Sequence, residues 1–172
     1  MGLMAENTDY ILATLNRNRV DYLLIGGVNF LLRHAPVLTY DVDVWIEDVP
    51  GNCCRCEAAL VELQAEWGMS DDDWGPVATK RPGWLERRSV YCLTSPHGAI
   101  DIFRSVAGMD SWPTCRRRAE AGVPASGTAF WGLSDADMLA CQLALPEGQR
   151  NEARVRYLQD VMRKGRDDRA AE

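Results

Sequence analysis

The chain has 172 residues, 25 of them Asp or Glu and 19 Lys or Arg, for a formal net charge of −6. Its 47% hydrophobic and 26% charged residues match the averages of soluble globular chains, which excludes a disordered polymer, a collagen-like repeat and a coiled-coil rod. The acidic balance disfavours broad electrostatic contact with nucleic acid, since each phosphate contact draws on a Lys or Arg.

The length predicts a single domain, with 1–110 as its core and 111–172 as a C-terminal strand and helices packed on that core. No run of ~18 consecutive apolar residues is present, so no membrane span is expected. The opening segment reads as an amphipathic helix from about Glu6 to Asn18 rather than a secretion signal, and the expected location is cytoplasmic. Asp21 to Ile25 is a short apolar run ended by Gly26-Gly27, the pattern of a buried strand that turns sharply. Val28 to Arg33 starts a helix. After Pro36, Thr39 to Glu47 alternates, with Tyr40, Val42, Val44 and Ile46 on one face and Asp41, Asp43 and Trp45 on the other.

Pro50-Gly51-Asn52 supplies a turn and N-cap for an amphipathic helix from Cys54 to Trp67. The turn-rich stretch from Ser70 to Gly83 predicts an exposed, lid-like insertion. Ser89–Thr94, Ser95–Gly98 and Ala99–Phe103 read as strand, tight turn, strand, with Asp101 midway in the second arm. Thr128 to Leu133 predicts one more strand. Ser134 and Asp137 form an acidic capping box ahead of two C-terminal helices separated near Pro146-Glu-Gly148, with fraying after Gly165.

Of six cysteines, Cys92 and Cys141 sit in apolar contexts that suit buried thiols. Cys53 and Cys56 spell C-x-x-C near a helix start, where a redox or zinc role is conceivable, but no second ligand pair exists. His34 and His97 read as turn or helix-end residues.

Asp41-Val-Asp43 is hardest to explain by folding alone. Alternation places both carboxylates on one face within ~7 Å. They are either the solvated side of an edge strand or a site for a cation, for which Mg²⁺ is the natural counterion. Asp101 offers a third carboxylate, and three such acids can hold two metals for an in-line displacement. Gly26-Gly27 between strand and helix can be an ordinary turn or can let a phosphate meet the helix N–H groups.

Ile25-Gly-Gly-Val-Asn-Phe-Leu-Leu-Arg33, continued by Leu38-Thr-Tyr-Asp-Val-Asp-Val44, resembles the opening of the nucleotidyltransferase superfamily that includes DNA polymerase beta, aminoglycoside nucleotidyltransferases and nucleotidyltransferase-type bacterial toxins. With Gly98-Ala-Ile-Asp101 and Leu133-Ser-Asp-Ala-Asp-Met-Leu139, the likeness to the small bacterial branch covers most of the chain. The resemblance implies an α+β (α/β) fold, a mixed β-sheet packed by helices with C-terminal helices. It implies Asp41, Asp43 and Asp101 as Mg²⁺ (or Mn²⁺) ligands, Asp101 also as base, and Gly26-Gly27 as the holder of a nucleoside triphosphate. The acceptor stays open between tRNA, protein and small molecule, and a partner protein or homodimer is compatible with it.

The chain departs from the family's pattern at two single residues and in one run, Gly148-Gln-Arg-Asn-Glu152, which stands where the branch often has R-x-K-D. Gly27 stands where many active members carry serine, leaving Asn29 as a replacement, and Gln142 stands where the branch often has lysine. These departures motivate a second reading, a catalytically weak or inactive binding module of a toxin–antitoxin or defence pair. Lys80, Arg81, Arg87 and Arg88 are alternative sources of positive charge. Arg150, Arg154, Arg156, Arg163 and Arg166 read as a basic helix face, either solvated or in contact with RNA or a partner protein, and Trp45, beside the two acids, as core packing or as a surface for a nucleobase.

Overall fold

The computed structural model describes residues 2–34, 39, 41–123 and 127–170. Pro36, Leu38 and Tyr40 of the sequence reading lie outside the described residues, as does the side chain of Arg166. Helix α1 (Gly2–Arg17) buries Ile11, Leu12 and Leu15 at helical spacing and delivers the chain to β1 (Tyr22–Leu24), whose three residues are all buried. Helix α2 (Gly26–Arg33) begins at Gly26, two residues earlier than the sequence predicts. Strand β2 (Asp41–Ile46) keeps the alternation up to Val44, then buries Trp45 as well as Ile46, because both faces are covered at that end.

Helix α3 (Pro50–Glu62) corrects two expectations. Pro50 occupies the first turn, where its missing N–H costs nothing, and Val49, with no side-chain bond, is the N-cap. Asn52 instead turns inward, fully buried: its amide donates to the carbonyls of Asp21 and Glu47 at 2.8 Å, and its oxygen accepts from Asp21 N. The helix stops at Glu62 rather than Trp67. Gln64 adopts a left-handed φ of 53°, and Gln64 N and Ala65 N bond back to Val61 O and Leu60 O at 3.0 Å. This is the hydrogen-bond pattern of a glycine-type helix stop made without glycine.

Strands β3 (Glu66–Trp67) and β4 (Gly75–Pro76) pair antiparallel. The segment expected as an exposed, lid-like insertion, residues 70–83, is mostly exposed, with Val77 its one buried residue, and it is anchored at its end. Trp84 and Leu85, which follow it, are buried; Trp84 stacks on Trp67 and meets Tyr91 edge to face, and the Glu57 carboxylate accepts from Gly83 N and Leu85 N. The hairpin is β5 (Val90–Ser95) and β6 (Gly98–Phe103), turning at Pro96-His97, with His97 stacked on Tyr10.

Helix α4 (Trp112–Arg118) leads to two further strands where one was expected, β7 (Glu120–Gly122) and β8 (Phe130–Gly132). Helix α5 (Asp135–Ala144) is capped by Ser134, whose Oγ accepts from Asp137 N at 3.2 Å. The Asp137 carboxylate also receives Arg118 from α4 at 2.7–3.0 Å. Helix α6 (Glu152–Ala170) continues past Gly165, where fraying was expected.

The eight strands form one mixed sheet, ordered β4-β3-β5-β6-β2-β1-β8-β7, in which β2 runs parallel to β6 and β1 parallel to β8. One face packs on α1 and α3 through Val42, Val44, Ile46, Ile100, Ile102 and Leu60. The other holds Leu23, Ile25 and Trp45 against Cys115 of α4, Met138 of α5 and Leu158 of α6. This is the α+β mixed sheet with C-terminal helices that the sequence predicts. No described helix is long and apolar enough to cross a membrane.

Candidate active site

Parallel pairing sets Asp43 of β2 directly opposite Asp101 of β6, and Asp41 opposite Ala99. Since side chains two apart share a face, all three carboxylates emerge on the face away from α1 and α3. One oxygen from each lies within 4.8 Å of the others, and all three residues are half-buried. This is the only such acidic or metal-ligating cluster among the described residues.

The crowding shows in the electrostatics. Burial, then the charges of Asp41 and Asp101, push the Asp43 carboxyl from its ordinary 3.8 up to about 7, opposed by the Gly27 N–H and by Arg154. Burial also raises Asp101, opposed by a hydrogen bond from the Cys92 thiol on the neighbouring strand. Cys92 is thus exposed and at the site, not packed among apolar residues as expected.

Gly26 and Gly27 stand against this cluster for separate reasons. Gly26 has φ +65°, and a Cβ there would lie 2.0 Å from Asp43 Oδ2. At Gly27 a Cβ would lie 2.6 Å from Thr39 Oγ1 and 2.9 Å from Thr39 Cβ. A serine is therefore excluded at 27 by the very residue that brings a hydroxyl to the same spot. Thr39 Oγ1 is 3.3 Å from Asp41 Oδ1.

A cavity of about 720 Å³ opens beside the carboxylates, within the range of small-molecule sites. One end carries Asp41, Asp43, Gly26, Gly27, Thr39 and Arg154; the other is apolar, with Phe103, Val106, Met138 and Leu145. Gln142 lines it too, its Oε1 accepting from Asn151 N at 2.8 Å.

Several sequence-predicted candidates lie elsewhere. Asn29 is fully buried outside the cavity lining, its amide donating to Leu133 O at 3.1 Å, so it ties α2 to the start of α5. Trp45 is buried in the second core, its indole N–H on Arg104 O, and offers no surface to a base. Lys80 pairs with Asp73, and neither it nor Arg81, Arg87 or Arg88 lines the cavity. Cys53 and Cys56 are buried inside α3, and burial raises both thiols, which opposes thiolate chemistry.

The arginines of the C-terminal segment do not form one face: Arg150 donates to Leu145 O and Leu143 O at the end of α5, Arg163 pairs with Asp160, and Arg154 enters the cavity wall. Arg154 is the functional candidate that the sequence does not single out. Six arginines fall between residue 150 and the end of the sequence, and only the seating of α6 selects one of them.

No protein-family model and no curated protein matches the chain. Among solved structures, the solution structure of the antibiotic-resistance factor ANT(2'')-Ia superimposes with a TM-score of 0.50 at 12% identity, covering 97% of this chain and 96% of that one. The chain has the nucleotidyltransferase fold. A Thermotoga maritima protein described as a candidate nucleotidyltransferase aligns over 94% of this chain and 84% of its own at 13% identity, with a TM-score of 0.36 that is too low to carry weight. Within this fold the acidic cluster lies on the two central parallel strands, and the cavity lies under the C-terminal helices.

Proposed function

We propose that the protein is a Mg²⁺- or Mn²⁺-dependent nucleotidyltransferase that moves a nucleoside monophosphate from a nucleoside triphosphate to a hydroxyl acceptor. The observation that carries this reading is the convergence of Asp41, Asp43 and Asp101 beside a cavity of suitable size. A hard divalent cation fits this donor set. The ligand atoms are all carboxylate oxygens, and Asp43 is raised first by burial and then by the charges of Asp41 and Asp101, both of which a bound cation would offset. When bound, such ions supply charge neutralisation at the transferring phosphorus and the departing oxygen.

The chain's own residues do the rest. Asp101 accepts the proton of the acceptor hydroxyl. That oxygen forms its bond to the α-phosphorus while the bond to the bridging oxygen breaks, and pyrophosphate leaves. Gly26 and Gly27 turn the first amides of α2, the positive end of its dipole, toward the phosphates. Asn29 serves from behind by fixing α2 to Leu133.

RNA, a protein side chain and a small molecule all remain as acceptors. The test is incubation with each labelled nucleoside triphosphate and Mg²⁺ or Mn²⁺, against total RNA, lysate protein and a panel of hydroxyl-bearing antibiotics. Label transfer is expected, and Asp41→Asn should lower it about 10³-fold, the scale of about 4 kcal/mol of lost transition-state stabilisation. Triphosphate binding without transfer to any acceptor would favour the inactive binding module. Neither binding nor transfer with all four nucleotides would sink the proposal.

A further inference from the structure

The two single-residue departures from the resembled pattern, Gly27 and Gln142, remove a hydroxyl and a cation from the place where phosphates would lie. The tertiary structure brings both groups back from other elements. The Thr39 hydroxyl fills the space a residue-27 side chain would take, and the Arg154 guanidinium arrives from α6, with Nη2 3.6 Å from that same point.

We propose that Arg154 is the residue that binds the phosphate oxyanions of the donor, replacing from α6 the cation that Gln142 of α5 does not supply. This rests on the reading that the cavity takes a nucleoside triphosphate. Four observations support it. Among the described residues, Arg154 is the only Lys or Arg lining the cavity. It forms no ion pair among the described residues, and its Nε is buried without a hydrogen-bond partner. By contrast, Arg33 and Arg104, also shielded, are paired: Arg33 with Glu120 and Asp135, and Arg104 with Asp48.

Removing a guanidinium from water without a partner is costly, so its position is explained by an anion that arrives later. Its place is also fixed. The guanidinium lies 5.4 Å from the Phe30 ring centroid, a cation–π distance, and the start of α6 is held by Asn151, whose Oδ1 accepts from Arg154 N and whose N–H is held by Gln142. Gln142 thus helps to seat the helix that carries the replacement charge. The Arg154 charge acts on Asp43 at the same end of the cavity without forming a direct ion pair, which leaves the donors of its planar fork free for phosphate oxygens.

The experiment measures binding of inorganic tripolyphosphate and of each nucleoside triphosphate by calorimetry, in wild type, Arg154→Gln, and Arg154→Gln combined with Gln142→Lys. Urea midpoints confirm folding. Arg154→Gln should weaken tripolyphosphate and triphosphate binding about 10- to 100-fold, the range for a lost charge-assisted phosphate contact, and leave binding of the unphosphorylated nucleosides unchanged.

Gln142→Lys in that background should recover a tenfold part of the loss. Recovery from a different helix is not expected if Arg154 only braces the fold. Equal tripolyphosphate affinity in wild type and Arg154→Gln would overturn the proposal while leaving the nucleotidyltransferase reading intact. A wild type that binds neither tripolyphosphate nor any triphosphate would overturn both.

Discussion

Under α1 and α3, the central strands present Val42, Val44, Ile100 and Ile102 to a dry apolar layer; one residue along the same strands, Asp41, Asp43 and Asp101 cluster on the opposite face, with Asp41 and Asp43 lining the cavity under the C-terminal helices. The backbone geometry is shared, so the contrast lies in what each face is asked to bury. The first face gains from removing apolar surface from water. The second holds three carboxylates together at a cost of burial and then of mutual repulsion, visible in the raised Asp43, that a proton or a bound cation relieves. A site of this kind is stable because the opposite face of the same strands is not compromised.

The contrast can be broken from either side. Leu60→Ala, in the fully buried layer, should cost about 2–5 kcal/mol of stability by loss of burial plus cavity formation, with transfer per folded molecule unchanged. Denaturant midpoints and specific activity measured on the same sample check this. Gly26→Ala acts in the reverse sense. The left-handed backbone disfavours any Cβ by roughly 1–2 kcal/mol, and the new atom must also displace the Asp43 carboxylate. Transfer should fall about 100-fold, more than stability alone predicts, as steady-state kinetics with varied Mg²⁺ would reveal.

The smallest expected effect is the most diagnostic. Without metal, the native protein keeps a proton on Asp43 between pH 3.8 and about 7 that the unfolded chain has released, so this group's contribution to stability falls as pH rises through that window. Asp43→Asn removes the penalty. The metal-free variant should be more stable than wild type by about 1–3 kcal/mol at pH 8 and should lose that advantage toward pH 4. Thermal melts in chelator at the two pH values read the difference; a destabilised variant at pH 8 would mean that the carboxylate is well solvated or already compensated.

Local features were readable where a residue type acts on its own neighbours. The alternation of β2, the hairpin around Pro96-His97 and the Ser134 cap are all short-range, and the spacing of Asp41 and Asp43 fixes their common face in any strand. The errors arose where long-range contacts override local signals. Asn52 looks like an N-cap but is drawn inward by the Asp21 and Glu47 backbone, and Gln64 ends α3 in a conformation that sequence reading assigns to glycine. The turn-rich segment before the hairpin reads as exposed from its Gly and Pro residues and is mostly so, but the Glu57 carboxylate that anchors its end lies in another helix, out of reach of any local pattern.

The sequence by itself determined the acidic strand, its third carboxylate on a later strand, and the mixed α+β architecture, because periodicity and the resemblance reside in contiguous residues. Only the tertiary structure decided that Asp43 and Asp101 stand opposite each other, that Thr39 fills the space beside Gly27, and that Arg154 rather than its neighbours enters the cavity. Strand register and helix seating are set by the packing of distant apolar faces, and the groups that share the cavity come from segments more than 100 residues apart, a separation that no local pattern encodes.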